Sequence, residues 1–425
     1  MRSWNVWTQM NIFKTLGISL LVFLCIGCGD RNAPAQDLRA DTTGFDDMTW
    51  YVRMADSEIT RRGNSLEYGS SDPKAKWNYE TGLFLKAVLA VWQETGQQRY
   101  FDYVKGVIDS YLEPDGSIKT YRMEDYNLDK INSGKVLLSL YHITEEEKYK
   151  DAAFLLRQQL DSHPRTREGG FWHKKRYPWQ MWLDGIYMCA PFYAEFSRLF
   201  DQPDGFDDVV KQILVIDVHT RDPGTGLRYH GWDESNAQSW AHPETGCSPH
   251  FWGRAMGWYS MALVDVLDFL PLEHPKRAQI IFILQDLARA ISTYQDQESG
   301  LWYQVLDQGT RKGNYLEASA SSMFVYALAK GVKRGYLEAT YWDVAKRGYH
   351  GLLGKLVMIE EDGLVSLTRI CSVAGLGGEP YRDGSFEYYI SEPIVKNDLK
   401  GVGPFILAGL EMSSPPTGEG GTLDR

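Results

Sequence analysis

The sequence predicts an all-α fold, an (α/α)6 barrel in which helical hairpins close into a double ring. Two observations carry that expectation. First, about a dozen stretches between residues 45 and 412 place apolar residues near i, i+3/4 and i+7, the period of a helix with a buried face. Second, a short device recurs between them: Asp115-Gly116, Gly169-Gly170, Thr225-Gly226, Ser299-Gly300 and Asp362-Gly363, each followed by a β-prone apolar or aromatic pair. By subtraction, the glycines at 116, 170, 226, 300 and 363 stand 54, 56, 74 and 63 residues apart, a two-helix period with variable loops. A closed ring delivers such loops to one face, where a pocket forms. A straight α-solenoid is the competing architecture, and the variable loops and the lack of polar capping helices weigh against it.

Taken in order, the periodic stretches are 45–61, 80–94, 100–111, 131–142, 148–161, 187–200, 206–217, 252–269, 276–294, 317–331, 341–356 and 403–412. Several are apolar on more than one side, as inner helices of a double ring must be. No Pro/Gly/Ser-rich linker interrupts 45–412, so this span reads as one domain.

The first 28 residues read as a targeting segment. Arg2 and Lys14 are followed by an apolar run too short to cross a bilayer, ending in Ile26-Gly27-Cys28. The run resembles a bacterial lipoprotein signal, with Cys25 where leucine is usual. It implies lipidation at Cys28 and a location in the bacterial cell envelope, periplasmic or at the cell surface. Membrane contact would then come only through that anchor. A plain secretory signal is the other reading. Residues 29–44 read as a flexible tether and 413–425 as a disordered tail. Cys189, Cys247 and Cys371 have neither metal-ligand spacing nor a disulfide framework and read as buried small apolar residues.

Hydrophobic residues at 43% and charged residues at 24% fit a soluble globular protein. A net charge of −11 argues against nucleic acid, which needs a basic face. The aromatic share of 13% fits either a wide helical core or a carbohydrate site.

The chemistry concentrates in 169–185, GGFWHKKRYPWQMWLDG. Aromatic faces suit the C–H faces of a sugar ring, and cations suit a sugar acid. A carboxyl held among aromatics, here Asp184, is a candidate proton donor, because desolvation disfavours the charged form. Trp172, Trp179, Trp182, Trp232, Trp240, Trp252 and Trp258 are half of the 14 tryptophans. His230 in YHGWDES and Arg254 in FWGRAMGW sit beside tryptophans after loop signals; a hydrogen-bonded loop histidine and a structural ion pair are their alternatives. Asp129 in YNLDKINSGK is a second candidate carboxylate, or a helix-start acid. HExxH, metal-spaced Cys/His pairs, G-x-S-x-G, a P-loop and a dinucleotide fingerprint are all missing, so the sequence calls for no metal and no organic cofactor.

Together FWHKKRYPWQMWLDGIYM, YNLDKINSGK, RYHGWDES and FWGRAMGWY resemble glycoside hydrolase family 105, the unsaturated rhamnogalacturonyl hydrolases, in order and spacing. Family 88, the unsaturated glucuronyl hydrolases, is related. The resemblance implies an (α/α)6 barrel and a substrate oligosaccharide with a 4,5-unsaturated uronic acid at its non-reducing end. It implies Asp184 as acid/base and Asp129 as the second catalytic carboxylate. Tyr79, His173, Lys174, His230, Trp252, Arg254 and Trp258 fall at substrate-binding positions. Arg254 and Lys174 are the cations for the substrate carboxylate. The activity so implied is removal of unsaturated galacturonate from pectin-derived oligosaccharides. A glucuronyl hydrolase, a non-catalytic sugar-binding lipoprotein and a histidine-based epimerase are the alternatives.

Overall fold

Every periodic stretch becomes a helix in the computed structural model, which describes residues 48–63 and 76–416. The helices are α1 Met48–Arg62, α2 Tyr79–Thr95, α3 Gln98–Tyr111, α4 Gly134–Thr144, α5 Glu147–Ser162, α6 Leu183–Leu199 and α7 Asp204–Thr220. They continue with α8 Gly253–Leu267, α9 Arg277–Thr293, α10 Ala318–Lys333, α11 Thr340–Lys355, α12 Phe386–Ser391 and α13 Leu399–Met412.

Helices α2, α4, α6, α8, α10 and α13 pack side by side in that order, and α13 returns to α2, which closes the ring. Their partners α3, α5, α7, α9 and α11 lie outside α2, α4, α6, α8 and α10, while α1 covers α13. The fold is an (α/α)6 barrel. An inner helix touches two ring neighbours and an outer partner, so α6, α8, α10 and α13 are buried on nearly every side. Close approach needs small residues. A Cβ on Gly82 of α2 would stand 2.4 Å from the Cα of Ser133, just before α4.

The recurring glycine device keeps the expected phase. Gly116, Gly169, Gly226, Gly300 and Gly363 have φ of 78°, 91°, 74°, 73° and 82°, each after an outer helix and before the next inner one. That left-handed backbone reverses the chain at little cost only without a Cβ. Short antiparallel bridges flank the turns, such as Leu112 with Ile118 and Arg165 with Phe171. The hairpins and the N-termini of the inner helices that come after them therefore lie at one end of the ring.

Among the described residues, three two-stranded sheets stiffen this end and its neighbourhood. β1 Gln180–Trp182 pairs antiparallel with β2 Gly231–Asp233, with Met181 opposite Trp232. β3 Val357–Ile359 pairs with β4 Val365–Leu367, and β5 Ile370–Cys371 with β6 Ile394–Val395. The β1–β2 sheet ties the loop before α6 to the loop after α7.

Helix starts depart from the periodic reading where local hydrogen bonds decide them. The expected start at 187 moves to Leu183, because β1 ends at Trp182 and Asp184 enters the first turn. The expected start at 131 moves to Gly134, since Leu128–Lys130 form a separate 3-10 turn in which Asn127 accepts from the Asp129 amide. α13 begins at Leu399 rather than 403, its end capped by the Asp398 side chain on the Lys400 amide.

Cys189, Cys247 and Cys371 are buried free thiols, as the sequence predicts. Cys28, the targeting segment and the tether lie outside the described residues, as does the tail beyond residue 416. Among the described residues no helix is long and apolar enough to cross a membrane.

Candidate active site

Helix first turns and hairpin loops bring the sequence-predicted residues together at the N-terminal end of the ring. Tyr79 opens α2, Asp184 is the second residue of α6, and Arg254 is the second residue of α8. Trp252 is the N-cap residue of α8. Aligned helix N-termini carry partial positive charge, which favours an anionic ligand or a developing carboxylate here.

Asp184 faces His230. Its Oδ2 lies 3.2 Å from His230 Nε2, off the line of a well-formed hydrogen bond, and neither atom has another partner among the described residues. His230 is fully buried, and its Nδ1 is 2.8 Å from the Tyr389 hydroxyl. The ring also packs against Trp252, at 4.8 Å between centroids, and edge-on to Trp182 at 5.4 Å. Burial pushes the Tyr389 phenol well above its ordinary pKa, so it stays protonated.

His173 stacks on the other face of this aromatic group. Its ring lies 4.4 Å from Trp182 with an interplanar angle of 18°. Burial, helped by the Lys174 charge, drives its pKa well below the ordinary range against the opposing pull of Asp184, so it is a neutral imidazole. Gly185 leaves room for it: a Cβ there would stand 3.0 Å from His173 Nδ1. Behind Trp182, Tyr177 stacks at 4.9 Å, and these two form an aromatic cluster with Trp240 and Leu376.

Asp129 sits in its 3-10 turn, not at the N-cap of α4. Its Oδ2 accepts from Lys174 Nζ, and its Oδ1 is 3.5 Å from His173 Nε2. The bridge between Asn127 and Lys174 holds the two segments in register. Asp129 thus accepts from Lys174 and faces His173, and the Asp184–His230 pair joins this group through Trp182.

The floor is aromatic. Trp258 stacks on Tyr187 at 4.9 Å and meets Tyr79 edge-on at 6.1 Å. Desolvation first, then Glu80 and Asp129, push the Tyr79 pKa well up, so this hydroxyl is a neutral donor.

The structure assigns the cations differently from the sequence expectation. Arg254 is buried, its Nε donates to Ser319 Oγ at 2.7 Å, and its Nη2 donates to Glu317 at 3.4 Å and to the Cys371 carbonyl. Its Nη1 reaches the Ser372 carbonyl at 3.4 Å. Burial alone would lower its pKa, but Glu317, Cys371, Asp398 and Tyr79 together outweigh that and raise it, so the charge is permanent. Most of its fork therefore holds protein groups. Lys174 is engaged by Asp129. Lys175 and Arg176 are exposed.

Sequence reasoning missed Tyr389, Gln304 and Glu317. Gln304 Oε1 accepts from Trp252 Nε1 at 3.1 Å, and its Nε2 donates to the Tyr389 carbonyl at 3.0 Å. Glu317 receives Arg254 and the Ser319 hydroxyl, and it caps α10 by accepting from the Ala320 amide. A Glu directly before the helical run ASASSM was the readable signal for that cap. Tyr389 lies in a six-residue helix too short for any period to show.

This arrangement suits acid–base chemistry on a small polar substrate. One carboxyl faces a histidine, a second is held by a lysine, and aromatic rings line the space between.

A family model described as Glycosyl Hydrolase Family 88 matches residues 50–414. The chain belongs to that family. It is also 48% identical to a glycoside hydrolase of family 105 from C. acetobutylicum, with a TM-score of 0.82, over 85% of this chain and 99% of that one. The resemblance to family 105 is borne out, and the protein is a glycoside hydrolase of this family 88/105 kind. A curated relative, the unsaturated rhamnogalacturonyl hydrolase YesR of Bacillus subtilis, is 29% identical over 72% of this chain and 83% of its own. The unsaturated glucuronyl hydrolase of Bacillus sp. GL1 shares the fold at a TM-score of 0.64 and 13% identity, covering 86% of this chain and 96% of that one.

Proposed function

We propose that this glycoside hydrolase removes a 4,5-unsaturated galacturonyl residue from the non-reducing end of lyase-generated rhamnogalacturonan oligosaccharides. The observation that carries the reading is the placing of Asp184: a mostly buried carboxyl in an inner-helix first turn, 3.2 Å from Nε2 of His230, whose ring packs against Trp182 and Trp252. The name of the YesR relative supports the substrate class.

In this reading Asp184 gives its proton to C4 of the ring enol ether. Positive charge develops at C5 and is shared with the ring oxygen. Water adds at C5 and returns a proton to Asp184. The hemiketal then opens, C5 becomes a ketone, and the aglycone leaves C1 without direct attack there. A carbon acid needs a fixed, well-oriented proton donor, because protonating carbon has no lone pair to guide it. Asp129, held by Lys174, orients the water or the sugar. Tyr79 and Trp258 form the wall for the flattened ring.

The test follows loss of ultraviolet absorbance from the double bond and the sugar released. Lyase-digested rhamnogalacturonan is compared with chondroitin disaccharide. Faster turnover of the pectic substrate supports the assignment. Preference for chondroitin would move it to a glucuronyl hydrolase, and binding with the double bond intact would make it a sugar-binding protein. Asp184→Asn should fold normally and lose about 100-fold or more in kcat, the general range for a deleted acid–base group. Retention of most of the rate would sink the Asp184 assignment.

We propose further that Cys28 carries a lipid anchor in the cell envelope, on the strength of the Ile26-Gly27-Cys28 sequence alone. Palmitate labelling that vanishes in Cys28→Ser supports this. Unchanged labelling, or none in the parent, refutes it.

A further inference from the structure

Tyr389 is a buried residue that contacts His230 beside the acid and that the mechanism above leaves unused. It lies in α12, on the chain between β5 and β6, and its ring stacks on Trp252 at 5.8 Å with an interplanar angle of 17°. Gln304 holds its carbonyl. Both the backbone and the ring are therefore fixed, and the hydroxyl is aimed at His230 Nδ1 at 2.8 Å.

A phenol has one proton to donate. Among the described residues the acceptor in reach of the Tyr389 hydroxyl is His230 Nδ1. A buried donor left unmade costs more than a formed bond contributes, so the proton points at that nitrogen. A neutral imidazole that accepts at Nδ1 carries its own proton on Nε2. Nε2 is the atom that faces Asp184 Oδ2, and neither has another partner among the described residues.

We infer that Tyr389 is a positioning residue that fixes His230 in its Nε2–H tautomer and so decides which oxygen of Asp184 carries the catalytic proton. With Nε2–H facing Oδ2 at 3.2 Å, that oxygen is the one poised to accept in both states of the acid. When Asp184 is protonated, its proton sits on Oδ1, the oxygen free for substrate. After transfer, the new charge meets a donor already in place, and the contact tightens as the charge develops. Removing the Tyr389 proton lets His230 place a bare nitrogen opposite Oδ2. The acid then turns its proton toward the histidine and away from the sugar.

Other titratable groups border Asp184. His173 approaches from the hairpin before α6, and beyond it lies Lys174. Tyr389 itself is faced by Tyr388 within α12 and by Arg382 and Asp383 from the loop before it. None of these holds His230 Nδ1.

The inference rests on Asp184 as the proton donor, and its test separates the two claims. The first measurement is the tautomer itself, read by 15N NMR of histidine-labelled protein, with the His230 signal assigned by its loss in His230→Gln. A proton on Nε2 in the parent and a mixed or Nδ1–H form in Tyr389→Phe is the expected result. It can be read even on a protein inactive toward every pectic substrate. A parent His230 protonated on Nδ1 overturns the inference. The second measurement is kinetic. Tyr389→Phe should lower kcat about 10- to 100-fold with KM nearly unchanged. A donor to a carboxylate favours its ionised form, so losing that donor should move the alkaline limb of kcat/KM to higher pH. A fall in rate with the limb unmoved would mean mere packing and overturn the inference. Retained activity in Asp184→Asn refutes the acid, whereas the tautomer result refutes or upholds Tyr389.

Discussion

Lys174 Nζ donates to Oδ2 of Asp129, joining two largely buried side chains 45 residues apart in sequence. The same lysine was a sequence-level candidate for the substrate carboxylate. In the folded protein its nearest anion is the protein's own. Asp129 in turn faces His173, so the lysine orients one carboxylate of the candidate site and sets the charge beside a neutral histidine.

Lys174→Gln should leave Asp129 a mostly buried carboxylate without its cation. The cost is about 1–3 kcal/mol of stability, as for a buried group stripped of its partner. Asp129→Asn in the same background should recover part of that loss, because the unpaired charge is gone. Urea midpoints for the two single variants and the double variant check this through the coupling term. Strict additivity would mean the pair contributes orientation without stability.

Gly185→Ala should damage catalysis more than folding. The new Cβ would stand 3.0 Å from His173 Nδ1 and 3.2 Å from Leu128 Cδ1, so the imidazole must give way by a few tenths of an ångström. A displacement of that order in a catalytic constellation lowers kcat/KM by about tenfold. Thermal unfolding should change little, since alanine is the better helix former. Full activity in the alanine variant would show that His173 tolerates movement.

Lys135 makes stability depend on pH. It lies wholly inside the ring, with Nζ 3.6 Å above the Tyr187 ring and no hydrogen-bond acceptor among the described residues. Burial lowers its pKa from 10.5 to about 7, with Asp265 opposing. Between those values the unfolded chain binds a proton that the folded chain does not, so stability rises with pH across this window. Below about 7 the cost of burying the charge is fully present. Lys135→Met should therefore stabilise by about 1 kcal/mol or more at neutral pH. That gain should shrink toward pH 10, because the parent lysine is then neutral in its folded state. Denaturation curves for both proteins at the two pH values decide it. A gain that stays constant with pH would remove Lys135 as the source.

The ring was legible because its signals are repetitive. A period of two helices and five positive-φ glycines at one phase are properties of the chain itself, and they specify the double ring without side-chain detail. Asp184, His173 and His230 were legible because their neighbours are aromatic in sequence as well as in space. The cations were not. Whether Arg254 meets a ligand or Glu317 depends on a residue 63 positions away. Tyr389 meets His230 across 159 positions, from a helix of one and a half turns. Such pairings are settled by ring closure, which leaves no local trace. Strand and capping bonds also moved three helix starts, and one of those shifts put Asp184 into a first turn.

Ring closure by α13 sets an order of events during synthesis. α13 fits between α10 and α2, and Lys400 in its first turn bonds Glu80 in the first turn of α2 at 2.8 Å. While a ribosome is still making the chain, the other inner helices can pair with their neighbours, but the wall between α10 and α2 stays open. The site residues come from both halves of the chain, with Tyr79 early and Tyr389 late. A nascent polypeptide therefore carries Asp184 long before Tyr389 and the helix that closes the ring around it.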